Sequence, residues 1–144
     1  MKERYAIAHM QAAYVYADLS YCIRKKVGCV IVKDGRLISI GFNGTPPGRP
    51  NVCEDEAGNT LPEVYHAEAN AISKLAKSTG GGSGSSVFVT IAPCLYCAKE
   101  LANMEIQELY YCEEYRDTAG VDFLRMSDIP VIKLNIPFRG QNQQ

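Results

Sequence analysis

The chain has 144 residues, 47% of them hydrophobic and 22% charged, with a formal net charge of -1. That length and apolar share suit a single domain, residues 1–144, with room for a sizeable core. The near-neutral balance argues against the strongly basic face of a dedicated nucleic-acid binder, and no apolar run approaches the ~20 residues that span a bilayer.

Residues 1–20 read as an amphipathic helix. Its packing face is Ala8, Ala12, Val15, Leu19 and Cys22, spaced alternately by four and three. His9, within it, reads as a surface or internally satisfied histidine. The basic triplet Arg24-Lys25-Lys26 leads into residues 27–32, an apolar run of strand length that carries Cys29 into the core. Asp34-Gly35 marks a tight turn, and residues 37–42 complete an antiparallel hairpin. The triplet is either a solvated strand entrance or, at Arg24 above all, a phosphate contact at the mouth of a site.

Residues 43–48 concentrate proline, glycine and asparagine and form a shaped loop, either a wall for a substrate or a turn capped by Asn43. Residues 49–62 are polar and aperiodic and should run over the surface. A second helix is expected over residues 65–77, with Ala69, Ile72, Leu75 and Ala76 packing inward and no side-chain cap before it. The glycine-rich stretch 80–86 follows a helix and precedes a strand, the wrong order for a dinucleotide fingerprint. It also lacks a Walker lysine, so it reads as a flexible connector. Residues 87–91 are a buried strand that delivers Pro93 and Cys94. A third helix runs to about Asn103, residues 108–112 are a fourth strand with Cys112 in the core, a helical stretch passes through Leu124-Arg125-Met126, and residues 131–134 are the last strand. Residues 140–144 should fray. A hairpin followed by alternating strands and helices predicts an α/β fold, a mixed five-stranded sheet flanked by helices.

The chemistry sits in His66-Ala67-Glu68 and Pro93-Cys94-Leu95-Tyr96-Cys97. Structural zinc is closed by four protein ligands, whereas catalytic zinc keeps three and leaves one position for water. One imidazole and two thiolates match the second pattern, in which the metal lowers the pKa of its water from ~15.7 towards ~7. Pro93 suits the first turn of a helix, Cys94 and Cys97 share a helix face, and the positive helix end favours both thiolates. If the metal lies just beyond a helix start, Glu68 reaches the water without being a ligand and can shuttle protons. With two cysteines assigned to the metal and no secretory signal, the six cysteines read as those of a reducing, cytoplasmic compartment.

An upstream His-x-Glu with Pro-Cys-x-x-Cys is the signature of the zinc deaminases. Together with Val27-Gly28, the run Gly41-Phe42-Asn43-Gly44-Thr45-Pro46-Pro47-Gly48, the helix His66-Ala67-Glu68-Ala69-Asn70-Ala71-Ile72 and the segment Ala92-Pro93-Cys94-Leu95-Tyr96-Cys97-Ala98-Lys99, it resembles the deoxycytidylate deaminases of the cytidine deaminase superfamily over most of the chain. The resemblance implies a three-layer α/β/α cytidine-deaminase-like fold and one catalytic Zn2+ per chain on His66, Cys94 and Cys97. It implies hydrolytic deamination of dCMP to dUMP and ammonia, with Glu68 moving protons between the attacking water, N3 and the leaving amine. Asn43 would hold the sugar, the Ala67 amide would meet the base carbonyl, and the Ala92 carbonyl would take the exocyclic amine. Tyr115 and Arg116 resemble the pair that closes over base and phosphate, or are merely a strand end, and Arg24 resembles a second phosphate contact.

Members of the family are commonly homohexamers switched by dCTP and dTTP through a stretch that corresponds to Gly41, Phe42, Asn43 and Gly44. Here Phe42 replaces the common tyrosine, so a hydroxyl is missing. Bound nucleoside triphosphate would bring Mg2+, and dCTP is a further candidate substrate. Several phage-type relatives carry a second, structural zinc on Cys and His. Cys22 and Cys53 fall near those cysteines without a spare paired His, so one zinc per chain is expected. Two other readings stand beside this one. A superfamily deaminase of a polymer or another base, such as tRNA adenosine or single-stranded DNA, would need a basic groove with exposed aromatics. A non-catalytic zinc module closed by a spare cysteine would leave Glu68 without a purpose.

Overall fold

A computed structural model describes residues 1–136 in the order α1 (Glu3–Ala17), β1 (Gly28–Lys33), β2 (Arg36–Phe42), α2 (Ala67–Leu75), β3 (Ser86–Ile91), α3 (Leu95–Asn103), β4 (Glu108–Glu113), α4 (Ala119–Met126) and β5 (Val131–Lys133). The fraying expected at residues 140–144 lies outside the described residues. Asp34 and Gly35 adopt φ values of 52° and 74°, the paired left-handed conformation of a two-residue hairpin turn whose twist matches its strands. That turn sets Lys33 opposite Arg36, and a bulge between Ile31 and Val32 then shifts the register so that Gly28 lies opposite Phe42. The strand order is β2-β1-β3-β4-β5, antiparallel across the first three and parallel from β3 to β5. This is the expected mixed five-stranded sheet.

Both faces of the central strands are covered, which explains their unbroken apolar runs. Alternate residues face opposite sides. Val30, Val32 and Phe88 pack with Ala6, Met10 and Ala13 of α1. Cys29, Ile31, Val87 and Val89 pack with Ala71 of α2, Leu101 of α3 and Leu124 of α4. The result is three layers, helix over sheet over helices.

The α1 packing face keeps the expected spacing but has a different phase. Ala6, Met10, Ala13 and Ala17 are buried, Ala8 is exposed, and Val15 and Leu19 stand 57% and 54% exposed. Close approach decides this. A Cβ at Gly28 would collide with the Ala13 carbonyl oxygen and lie 2.8 Å from the Ala17 amide, so α1 turns the face with small residues at 13 and 17 against β1. His9 is half-buried with its ring 5.2 Å from that of Phe88, and burial lowers its pKa.

Other expectations need correction. Ala76 is exposed because α2 ends at Leu75, and Cys112 is half-buried at the margin of the α1 layer rather than in the core. The 80–86 connector is tied down at its end. Gly82 and Ser85 are buried, Gly84 donates to the Glu105 carbonyl at 2.9 Å, and Gln107 donates to Ser85 at 2.7 Å. Among the described residues no helix is long and apolar enough to cross a membrane.

One buried polar contact pins β1 to β3, where the Gly28 amide donates to Thr90 Oγ1 at 3.2 Å. Thr90→Val keeps the shape but orphans that amide, and a loss of about 1–3 kcal/mol in urea-unfolding stability is expected.

Candidate active site

The topology brings four chain segments to one end of the sheet. β1 and β2 are antiparallel, so the start of β1 adjoins the end of β2, and pairing of β1 with β3 puts both beside the carboxyl ends of β3 and β4. Open α/β sheets bind ligands outside those carboxyl ends. A cavity of about 760 Å³ lies there, lined from the β1 side by Arg24, the β2 side by Asn43, the β3 side by Ala92 and the β4 side by Tyr115. That volume falls within the roughly 300–1,000 Å³ usual for small-molecule sites.

His66 and Cys94 are the N-caps of α2 and α3, both with extended backbone, at ψ 157° and 169°. This corrects the expected placement of His66 and Pro93 inside first helical turns. Each helix begins one residue past its ligand, because an N-cap residue leaves the helical cylinder and can turn its side chain to the metal. No side-chain hydrogen bond caps either helix. His66 Nδ1 stands 3.6 Å from Cys94 Sγ and 3.3 Å from Cys97 Sγ, and the three donor atoms lie within 4.8 Å of one another.

Zinc bonds of ~2.3 Å to sulfur and ~2.05 Å to nitrogen in a tetrahedron separate those ligands by roughly 3.5 Å, so the donor set fits zinc. Among the described residues this is the only group of three or more such side chains close enough to hold an ion.

The electrostatics of the protein groups agree. The Cys94 thiol is pulled down to about 4, first by its hydrogen bond with Cys97, then by His66. Cys97 is pushed up by the same bond and by burial, and the His66 imidazole is raised by its contact with Cys94. Glu68, in the first turn of α2, is only 4% exposed and its carboxyl is pushed up to about 7 by burial. A carboxyl poised near neutrality can both take and give a proton.

The folded Glu68 pKa of about 7 exceeds the ordinary 4.5, so between those values the folded state holds more protons and stability falls as pH rises. In protein stripped of metal by a chelator, Glu68→Gln should therefore match wild type near pH 4. Above pH 7 it should be more stable by on the order of 1–3 kcal/mol in urea unfolding.

Every residue with an expected substrate role except the effector stretch lines this one cavity: Arg24, Asn43, Ala67, Ala92, Tyr115 and Arg116. The Asn43 side chain accepts from the Val27 amide at 2.9 Å and donates to the Lys25 carbonyl at 2.8 Å, leaving one N–H for a ligand. Ala67 opens α2, so its amide has no intrahelical partner, and Ala92 is fixed by donating to the Glu113 carbonyl at 2.8 Å. The Arg116 guanidinium lies 6.0 Å from the Tyr115 ring centroid.

In the effector stretch, Gly41, Phe42 and Gly44 do not line the cavity. A Cβ at Gly41 would collide with the Ala67 carbonyl and lie 2.6 Å from the Ala71 amide. Phe42 is half-buried, its carbonyl accepting from the Asn70 side chain at 2.8 Å, and Gly44 bridges to Tyr65.

Two features were not legible from the sequence. Residues 49–62 do not simply cover the surface. Cys53 is buried and bonded to Cys22 with Cα atoms 5.1 Å apart, and Glu54, Asn59 and Thr60 line the cavity. The reading of all six cysteines as reduced is thus corrected for this pair, which meets because residues 20–22 fold back onto the end of β2. There Ser20 Oγ donates to the Asn43 carbonyl at 2.8 Å. The available signal was an apolar Cys in a polar stretch. The second feature is Gly120 of α4, whose added Cβ would collide with the Pro93 carbonyl and lie 2.7 Å from the Cys94 carbonyl carbon. A glycine inside a helical pattern is the mark of such an approach.

Comparison with known proteins gives concordant matches. Residues 3–113 match the model described as the cytidine and deoxycytidylate deaminase zinc-binding region. Deoxycytidylate deaminase of Enterobacteria phage T4 is 32% identical, across 93% of this chain and 91% of that protein. The crystal structure of dCMP deaminase from the cyanophage S-TIM5, in complex with dCMP and dUMP, is 42% identical and superimposes with a TM-score of 0.91, covering 93% of this chain and 99% of that one. A structure from work on tRNA:A34 deaminases, 24% identical with a TM-score of 0.64 over 92% of this chain and 100% of that one, shares the fold alone.

Proposed function

The chain belongs to the cytidine and deoxycytidylate deaminase family, and from that premise we propose that it hydrolyses dCMP to dUMP and ammonia at a zinc centre held by His66, Cys94 and Cys97. The observation that carries this reading is one cavity lined by His66 and Cys94 of the metal cluster, the buried Glu68 carboxyl and the Arg24 and Arg116 cations. The similarity to a deaminase bound to dCMP and dUMP supports it.

Zinc, when bound, supplies Lewis acidity that lowers the pKa of the attacking water towards ~7. The residues of the chain do the rest. Glu68 takes a proton from that water and delivers it to N3 of the cytosine as the new C4–O bond forms. It then takes the remaining hydroxyl proton and delivers it to the amine as the C4–N bond breaks, so water and cytosine become uracil and ammonia. The Ala67 amide meets the base carbonyl and the Ala92 carbonyl accepts from the exocyclic amine. Asn43 offers its remaining N–H to the sugar. Arg24 and Arg116 bind the phosphate, for which the planar guanidinium fork is suited, and Tyr115 closes over the base.

The proposal extends to dCTP, supported by Lys25 beside Arg24 on the same cavity, with Mg2+ accompanying the triphosphate. A cytoplasmic homohexamer regulated by dCTP and dTTP through the segment 41–44 belongs to the same proposal. Its support is the resemblance in that segment, weakened at Phe42, and sedimentation with and without effectors tests it.

Ammonia release from equal concentrations of dCMP, dCTP, deoxycytidine and a cytosine-containing DNA oligonucleotide tests the main reading in zinc-loaded protein. dCMP is expected to turn over fastest and the oligonucleotide not at all. Turnover of the oligonucleotide alone, or of nothing with and without added effectors, would overturn it.

A further inference from the structure

We propose that Glu54, secured by the Cys22–Cys53 bond, is a positioning residue that sets Arg24 for the substrate phosphate, a step that rests on the reading of Arg24 as a phosphate contact. Arg24 lies between the end of α1 and the start of β1, outside both elements. Its backbone is instead held by the adjoining loop that follows Cys53. Glu54 Oε2 accepts from the Ile23 amide and from the Arg24 amide, each at 3.0 Å. Two bonds on one ionised oxygen are charge-assisted, stronger than neutral ones.

The acceptor is itself fixed. Leu61 donates to the Cys53 carbonyl at 2.7 Å, Asp55 donates to the Asn59 carbonyl at 2.9 Å, and Asp55 Oδ1 accepts from the Ala57 and Asn59 amides at 3.0 and 2.9 Å. Glu54 also bridges to Thr60. This self-locked loop is then tied covalently to the segment it holds. Cys22 directly precedes Ile23, Cys53 directly precedes Glu54, and the pair is buried, at 2% and 1% exposure.

Two strong hydrogen bonds and one covalent link therefore converge within three residues of a cation that lines the cavity. Pre-setting that backbone removes the backbone part of the ordering cost incurred when Arg24 grips an anion. The advantage accrues to substrates that carry the phosphate and is absent for the nucleoside.

The test compares dCMP with deoxycytidine. Glu54→Ala is expected to lower kcat/KM for dCMP about ten-fold, mainly through KM, and to lower it several-fold less for deoxycytidine. Glu54→Gln keeps a carbonyl acceptor and should restore most of the loss. Cys22→Ser/Cys53→Ser should shift the dCMP to deoxycytidine ratio in the same direction. On an Arg24→Ala background, Glu54→Ala should cost nothing further, since it acts through that side chain. Equal losses on both substrates, full additivity with Arg24→Ala, or an unmoved ratio in the cysteine variant would overturn the positioning role. If Arg24→Ala itself leaves dCMP kinetics at wild type, the phosphate reading of Arg24 is what has failed.

Discussion

Glu68→Gln is expected to abolish dCMP turnover, by about 10,000-fold or more, in protein that still binds zinc. The substitution keeps the size and shape of a side chain that is 4% exposed, so neither a cavity nor a displaced helix accounts for the loss. What disappears is proton transfer. The reaction needs one proton moved from water to N3 and another from the nascent hydroxyl to the amine, and an amide can do neither. General acid–base groups contribute roughly 100- to 10,000-fold for a single role, and Glu68 serves successive transfers, which places the expected loss at the top of that range. Zinc content should be unchanged because the donor cluster is His66, Cys94 and Cys97, without Glu68. Turnover at the wild-type rate in a zinc-loaded variant would remove Glu68 from the mechanism and favour a non-catalytic zinc module.

Gly41→Ala is expected to cost about 2–4 kcal/mol of stability and to weaken zinc binding. A Cβ there would collide with the Ala67 carbonyl oxygen and lie 2.6 Å from the Ala71 amide and 3.1 Å from the Ala71 methyl. The first two are backbone atoms of α2, which cannot rotate away as a side chain would. The helix must therefore move as a unit, carrying its N-cap His66 and Glu68 with it. Urea unfolding and competition with a chelator read the two effects together. Gly35→Ala is the control for the loss of a glycine, because Gly35 sits in a turn with nothing within 4 Å of its added Cβ, although its φ of +74° adds a local cost. If Gly41→Ala matched wild type in both assays, the packing role would be wrong. The family-derived effector role would then be the better account of this glycine.

The glycine shows where reading along the chain falls short. Gly41 belongs to the motif at 41–48, yet what excludes a side chain there is α2, whose first residue lies 26 residues further on. The phase of α1 failed for a related reason. Its sequence offers two stripes with the same spacing, Ala8-Ala12-Val15-Leu19 and Ala6-Met10-Ala13-Ala17, and the first is the more apolar in appearance. The second is buried because Gly28 brings β1 against the backbone of α1 at Ala13 and Ala17, where only small side chains fit, while Met10 fills the space a few residues away. Hydrophobicity chose wrongly where steric fit decided.

The local patterns carried the strands well. Short apolar runs of strand length identified all five strands, and the order of elements implied a mixed sheet. By contrast, the Cys22–Cys53 bond spans 31 residues and the Glu54 contacts with Ile23 and Arg24 span 31 and 30. Neither leaves a periodic trace.

What the sequence determined by itself is the chemistry of the centre, because a catalytic zinc site is specified by donor types at short spacings. His66 with Glu68, and Cys94 with Cys97, lie two and three residues apart across a cap and the first turn of its helix, so local geometry carries them wherever the helices go. Only the tertiary structure decided which distant segments wall the cavity. A loop that reads as solvated surface reaches Arg24 through Glu54, 30 residues further along the chain. Its place is set by a disulfide and a carboxylate, contacts between residues far apart along the chain.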